Sequence, residues 1–149
     1  MQISIHDFQV LRKPSPKWPV FCYLVDFASR EVTGKARLYT SKKPNELRQT
    51  QKMSVEVEFD AIHNLTFLDF TNQRGFQFIP LDSETNYWVS GEVESVFEEI
   101  EGVECQGFIV TTLDAKFWII DGEVSGPFAN VGQWVQFSVM GLTLWDAND

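Results

Sequence analysis

Short stretches in which apolar and polar residues alternate run along almost the whole chain, and this period of two predicts β-strands rather than helices. In residues 53–59, for example, Val55 and Val57 would face a core, and Glu56 and Glu58 would face solvent. Turn residues, such as those at 73–75 and the Asp-Gly pair at 121–122, separate roughly ten such stretches. The pattern predicts an all-β fold, built as antiparallel small barrels or as a sandwich.

Residues 87–108 form the longest alternating stretch and predict a β-hairpin with its turn at Glu101 and Gly102. Alternation assigns the side chains of the first arm to two faces. One face would carry Tyr87, Val89, Gly91, Val93 and Phe97, and the other would carry Ser90, Glu92 and Glu94.

Residues 41–52 are the clearest stretch without this alternation, and they predict at most one short helix near residues 44–50. Pro44 suits the first turn of a helix, because its missing N–H would have no partner there. Leu47 is the one apolar side chain that such a helix could bury. One or two turns are therefore expected.

The length of 149 residues suits a single compact domain spanning 1–149. A weak internal repeat suggests an alternative organisation into two similar β units, residues 1–74 and residues 75–149. The repeat pairs residues 55–69 with residues 134–146, which end in LTFLD and LTLWD, at a period near 77. Two strands with the same binary pattern would also produce this match.

The charged residues are distributed unevenly. Residues 1–52 contain ten Lys and Arg against four acids, a net charge of +6. The remaining 97 residues contain two basic residues against seventeen acids, a net charge of −15. This asymmetry predicts either a polarised surface, with a basic region for an anion and an acidic region for a cationic partner, or two regions that face each other within the fold.

Cys22 and Cys105 both fall in predicted strands, which favours buried free thiols in a reducing cytoplasm over a disulfide. The N-terminus lacks the basic start and apolar stretch of a signal peptide, and the chain has no run of 18 apolar residues. We therefore expect a cytoplasmic protein with no membrane association.

Four glycine- and aromatic-containing segments of the C-terminal half follow one another in a familiar order. They are Gly91-x-Val93, Gly107-Phe108-Ile109, Phe117-Trp118-Ile119 and Gly132-Gln133-Trp134-Val135-x-Phe137. In these segments, residues 88–145 resemble the OB-fold and its cold-shock branch in particular. The resemblance implies an OB-like C-terminal half, in which Phe108, Phe117 and Trp118 lie where such domains stack bases.

The charges of this half depart from the cold-shock pattern. Basic residues that flank the stacking aromatics in that family are missing, and glutamates stand in the connection instead. From residue 75 onward the chain has one Lys against thirteen acids. Because phosphate contacts dominate nucleic-acid affinity, we expect the OB-like architecture here without nucleic-acid binding.

Motifs with catalytic or metal-binding spacing are not found. His63 with Asp60 and Asp69 could be drawn as a metal site, but one His with two carboxylates is a weak ligand set. No GxSxG, P-loop, HExxH or EF-hand spacing occurs. Alternating glutamates, such as Glu56 with Glu58, are typical of solvent-facing strand surfaces. The sequence therefore predicts no catalytic residue, no metal, no cofactor and no enzymatic activity.

An acidic face on the hairpin of residues 87–108 supports the first functional hypothesis, a protein-interaction module that binds a basic protein partner. Inhibitors and immunity proteins of nucleases are one example of this class, because surface acids steer association with a cationic surface. Trp88 would supply an apolar anchor on this face. The predicted partner-binding residues are Trp88, Glu92, Glu94, Glu98, Glu99, Glu101 and Glu104.

The alternative hypothesis is an OB-type protein that binds nucleic acid through its basic N-terminal region, where aromatic and cationic residues alternate. Its candidate residues are Lys17, Trp18, Lys35, Arg37, Tyr39, Lys42 and Lys43. An enzyme with a carboxylate pair in a barrel mouth is a third class, which no spacing supports. The pattern makes no prediction of oligomeric state.

Overall fold

The computed structural model describes residues 1–69, 75–120 and 129–149. Its strands are β1 (Gln2–Arg12), β2 (Phe21–Ala28), β3 (Thr33–Thr40), β4 (Met53–Glu58), β5 (Ala61–Phe67), β6 (Gln77–Pro80), β7 (Tyr87–Ile100), β8 (Val103–Thr111), β9 (Lys116–Ile120), β10 (Trp134–Met140) and β11 (Thr143–Asp146). Helix α1 (Pro44–Gln49) is the one helix in these ranges. The all-β prediction is confirmed. The turn expected at 121–122 and most of that at 73–75 lie outside the described residues.

Helix α1 has the start and the buried residue that the sequence predicts. It begins at Pro44, and the Glu46 side chain accepts a hydrogen bond from the Lys43 N–H at 2.7 Å. Leu47 is the residue that the helix buries. Because α1 has only six residues, it depends on packing of this kind for its stability. Within the described ranges, no helix has the length and apolarity needed to span a membrane.

Five strands close into a barrel in the order β1-β2-β3-β11-β4. Neighbouring strands are antiparallel except β3 and β11, which run parallel. A short pairing of Gln2 with Ser54 and Ile3 with Met53 closes the ring between β1 and β4. Side chains buried in this part of the molecule include Ile3, Tyr23, Val25, Phe27, Ala36, Leu38, Met53, Val55, Val57 and Leu144.

A second sheet has the order β5-β10-β7-β8-β9, with β6 also paired to β7. Its buried side chains include Val89, Val110, Phe117 and Phe137, and one apolar cluster joins them to the barrel core. Tyr87 connects the two sheets, because its hydroxyl donates to the Lys35 carbonyl at 2.6 Å. The ring of Tyr87 occupies the space that a side chain at residue 34 would need, which explains the glycine there.

Strands β4 and β5 run beside β11 and β10 as one continuous antiparallel ribbon. Glu58 lies opposite Thr143 in the barrel, and Ala61 lies opposite Met140 in the second sheet, so the register continues unbroken where both strands cross. The crossing carries β5 into the second sheet and β11 into the barrel. The two sheets therefore do not correspond to the two stretches of chain on either side of the 74–75 boundary.

The two sheets nevertheless repeat one plan. Each contains a three-stranded meander, β1-β2-β3 or β7-β8-β9, and a bulge follows Ile5 in β1 and Val93 in β7. In both, a four-residue turn closed by a backbone hydrogen bond joins the second strand to the third, at 29–32 and 112–115. This agreement supports the idea of two similar units, whereas descent from a duplication stays a prediction.

The structural spacing of the two units differs from the period near 77 that the sequence suggests. Glu58 and Met140 each end a strand before the crossing, and their partners Thr143 and Ala61 each begin a strand after it. Glu58 is therefore equivalent to Met140, and Ala61 is equivalent to Thr143. The two members of each pair lie 82 positions apart in the chain. The LTFLD and LTLWD segments are therefore out of register with each other in the structure, because strands of one binary pattern match at several alignments.

The two equivalent turns meet each other. The Glu31 carboxylate accepts hydrogen bonds from the N–H groups of Leu113 at 3.1 Å and Asp114 at 3.3 Å, while Asp114 accepts one from the Arg30 N–H at 3.1 Å. Burial raises the pKa of Glu31, and the neighbouring Asp114 carboxyl adds to the rise. Each turn thus supplies the polar partners of the other where the sheets join.

Candidate functional site

The hairpin of β7 and β8 turns where the sequence predicts. Glu101 and Gly102 have φ angles of 51° and 79°, and two residues with positive φ form the turn type that matches the twist of a two-stranded ribbon. Gly102 adopts this conformation without strain, whereas Glu101 adopts it at a cost. The turn places four exposed glutamates at the end of the hairpin, and we call them the tip glutamates: Glu98, Glu99, Glu101 and Glu104.

The tip glutamates have no ion-pair partner among the described residues. Glu99 lies directly opposite Glu104 in the strand pairing. Like charges in directly opposed positions repel and destabilise a ribbon. The chain therefore concentrates negative charge at this hairpin end at the expense of local stability, which is a feature typical of functional surfaces.

The three other predicted partner-binding residues lie away from this cluster. Trp88 is ten positions before Glu98 on β7, about 30 Å along an extended strand, so it does not serve as an anchor for the tip glutamates. Glu92 is half-buried opposite Trp134. Glu94 is exposed but forms an ion pair with Lys116 at 2.9 Å.

A different aromatic pair lies near the tip. Val93 pairs with Val110 and Ser95 pairs with Ile109, so β7 contains one extra residue between them. A bulge of this kind reverses the faces of all later residues. Phe97 consequently does not share the core face of Tyr87, Val89, Gly91 and Val93 as the alternation predicts, and it lies on the opposite face of the sheet.

Phe97 contacts Trp118 of β9 on this opposite face, with ring centroids 5.4 Å apart. Between them on β8 lies Gly107, directly opposite Phe97, and a side chain at this position would overlap the Phe97 ring and the Ile119 carbonyl. Trp118 remains 50% exposed. We call Phe97 and Trp118 the aromatic platform. The outward position of Trp118 on β9 follows from alternation, because Trp118 stands between Phe117 and Ile119, which are both buried.

A groove of about 750 Å³ lies beside the platform, between β4 and β9. Trp118 and Ile100 line one side, and Glu56 and Glu58 of β4 line the other. The sequence suggested that these two glutamates face solvent, and both are exposed. The Glu58 carboxylate accepts a hydrogen bond from the Trp145 indole N–H at 2.8 Å, which fixes its position on the wall of the groove.

The aromatic residues expected to stack bases are separated by the fold. Phe108 and Phe117 are buried in the core, with 4% and 0% exposure, while Trp118 faces outward. Adjacent residues of a strand point to opposite faces, so Phe117 and Trp118 cannot form one stacking surface. Base stacking by this trio is therefore excluded.

Three cations of the basic N-terminal region are already paired. Lys35 bonds to Asp26 at 2.7 Å, Arg37 bonds to Asp60 at 2.6 Å, and Lys42 bonds to Asp146 at 2.8 Å. Ion pairs of this kind remove positive charge that a polyanion would need. Of the candidate cations there, Lys17 and Lys43 remain without an ion pair within the described ranges.

The aromatic residues of that region form a stack outside the barrel. The Arg12 guanidinium lies 5.0 Å from the Trp18 ring centroid and 5.6 Å from that of Tyr39. Tyr39 in turn stacks on Trp145 at 4.4 Å, with the rings 14° from parallel. Arg12 and Trp145 of the same chain thus already pack against the rings of Trp18 and Tyr39, although Trp18 is still 50% exposed.

The structure describes no cluster of three or more metal-ligating side chains in residues 1–69, 75–120 and 129–149. His63 lies exposed on β5. Cys22 and Cys105 are free thiols. In comparisons with known proteins, no family model, curated protein or solved structure matches the chain.

Proposed function

We propose that this chain is a non-enzymatic interaction module that binds a basic protein partner through the acidic end of the β7–β8 hairpin, as an inhibitor, immunity protein or adaptor would. One observation carries the proposal. The tip glutamates are exposed and unpaired in the described structure, whereas Lys35, Arg37 and Lys42 are held in ion pairs. A cationic surface would relieve the repulsion between Glu99 and Glu104 on binding.

The cytoplasm is the proposed compartment. Cys22 and Cys105 form no disulfide, which agrees with a reducing environment. The OB-like architecture expected for residues 88–145 stays a proposal. We propose the same architecture for the barrel of β1–β4 and β11 as well, because this barrel has five strands, as that fold does. Nucleic-acid binding by its outer face is the second candidate function, supported by the exposed ring of Trp18 beside Arg12.

Charge reversal at the hairpin end tests the first candidate. Proteins captured on the immobilised chain are identified and purified, and their affinity is measured over a salt series. We expect a basic partner whose affinity falls with salt and drops roughly tenfold to a hundredfold for Glu98→Lys with Glu99→Lys. Asp69→Lys with Glu84→Lys, an equal charge change at two exposed sites elsewhere, is the matched control and should retain most of the affinity.

Two results would contradict this function. One is an unchanged affinity of the purified partner for the Glu98→Lys and Glu99→Lys variant. The other is tight binding of a single-stranded oligonucleotide that weakens steeply with salt and is lost in Trp18→Leu, which would establish the second candidate instead.

The turn itself provides a separate stability prediction. Glu101→Asn should raise the free energy of unfolding by about 0.5–1 kcal/mol, because asparagine tolerates the positive φ of this position and Asn-Gly favours this turn. Urea denaturation measures the change. Gly102→Ala, which forces a side chain into the φ of 79°, is the opposite control and should destabilise by about 1 kcal/mol. Equal effects of both substitutions would contradict the assigned turn.

A further inference from the structure

The groove between β4 and β9 combines an aromatic wall with an excess of carboxylates. The acids that line it are Glu56, Glu58, Glu101 and Asp114. Two cations also line it, and both have partners: Lys116 bonds to Glu94 at 2.9 Å, and the Met1 ammonium donates to the Val55 carbonyl at 2.9 Å. The local charge therefore favours a cationic ligand.

Trp118 gives this groove a specific chemistry. Phe97 packs against the Trp118 ring with an interplanar angle of 41°, which supports the ring and leaves the remainder exposed to the groove. An exposed tryptophan ring beside carboxylates suits a guanidinium better than an ammonium. The planar guanidinium stacks on the ring and donates in two directions to carboxylates, whereas lysine acts as a point charge.

The barrel contains an internal example of the same contact. On its outer surface, the Arg12 guanidinium lies over the rings of Trp18 and Tyr39. In the groove beside the aromatic platform, Trp118 lines the wall together with carboxylates. An arginine from another molecule would therefore make the contact that Arg12 makes on the barrel.

We propose that the groove between β4 and β9 binds an arginine side chain of the basic partner, with Trp118 as the stacking surface and Glu56, Glu58 and Glu101 as carboxylate acceptors. This inference rests on the proposed function and extends it. It adds β4 residues to the interface and states that the partner presents arginine rather than lysine. The tip glutamates then supply long-range attraction to the basic partner, and the groove selects arginine over lysine.

Two capped peptides of equal charge test the inference, an arginine hexamer and a lysine hexamer. Calorimetry gives their affinities, and nuclear magnetic resonance of the indole N–H groups reports contact, with the Trp118 signal assigned from its loss in Trp118→Leu. For the wild-type chain we expect the arginine peptide to bind about twofold to fivefold more tightly than the lysine peptide and to shift the Trp118 signal.

Trp118→Leu should reduce this preference to about one while leaving salt-dependent binding of both peptides. Trp18→Leu removes a tryptophan of the same 50% exposure from the basic region and should preserve the preference. Glu98→Lys with Glu99→Lys should weaken both peptides alike without changing their ratio, so that failure of the groove and failure of the hairpin are distinguished. An unchanged preference in Trp118→Leu, an unmoved Trp118 signal, or no binding of either peptide by the wild-type chain would overturn the inference.

Discussion

Replacing Gly107 with alanine should lower the free energy of unfolding by about 2–3 kcal/mol. A Cβ atom at this position would overlap the Ile119 backbone carbonyl and would lie 2.5 Å from the Phe97 ring. The carbonyl belongs to the neighbouring strand β9, in which Ile119 pairs with Phe108 and Ile120 pairs with Gly107, so it cannot move independently. Urea denaturation followed by circular dichroism measures the loss.

Gly75→Ala is the matched control for this change. Apart from its chain neighbours, no atom of the described residues lies within 4 Å of a Cβ at residue 75, and the residue is exposed. The stability of this variant should therefore differ from that of the wild type by no more than about 0.5 kcal/mol.

Gly107→Ala should also displace Phe97 from Trp118 and so alter the Trp118 indole signal. Similar stabilities of the two variants would show that β8 and β9 are spaced more widely than described.

Asp146→Asn is expected to have a comparable effect, a destabilisation of about 2–3 kcal/mol at pH 7. The Asp146 side chain is fully buried and bonds to the Thr40 hydroxyl and the Lys42 ammonium, each at 2.8 Å. Asparagine removes the charge and leaves the partly buried Lys42 ammonium without its ion-pair partner. This contact also joins the end of β11 to β3, so its loss weakens the position of β11 in the barrel.

The pH dependence gives an independent test of this site. Burial by itself opposes ionisation of Asp146, but hydrogen bonds from Lys42, Asn148 and Thr40 outweigh it, so the pKa of Asp146 is lowered. The unfolded chain then takes up a proton at higher pH than the folded chain does. The stability that Asp146 contributes is present above its unfolded pKa of about 3.9 and is lost as the pH falls through its lowered folded pKa.

The difference in stability between wild type and Asp146→Asn should therefore shrink below about pH 4. Glu94→Gln is the control, because the Glu94–Lys116 pair is exposed at both ends and should contribute less than about 1 kcal/mol. Urea denaturation at pH 7 and near pH 3 measures both variants. A difference that stays constant over this range would show that Asp146 is not the ionised partner of Lys42.

The sequence supports the elements of this fold because their causes are local. Alternation over residues 53–59 predicts β4, Pro44 and Leu47 predict a short helix, and Glu101-Gly102 predicts the hairpin turn. Each depends on residues within a few positions of one another. Burial of Val55 and Val57 confirms the face assigned to them in that strand.

The site was only partly accessible to the same reasoning. The sequence locates the tip glutamates, since hairpin ends collect exposed residues. It misplaces Phe97, because one extra residue in β7 reverses the face of everything after it, and alternation counts residues without knowing the pairing. It also links Trp88 to acids that lie about 30 Å away along the strand.

By itself, the sequence determines that this protein is built of short strands, one small helix and an acidic hairpin, and that its charge is divided between the two parts of the chain. Only the tertiary structure decides that β11 completes the barrel, that Lys42 is neutralised by Asp146, and that Trp118 faces Glu56 and Glu58 across a groove. Those contacts join residues far apart in the chain. Their formation depends on strand register and packing of the whole molecule, which no local pattern encodes.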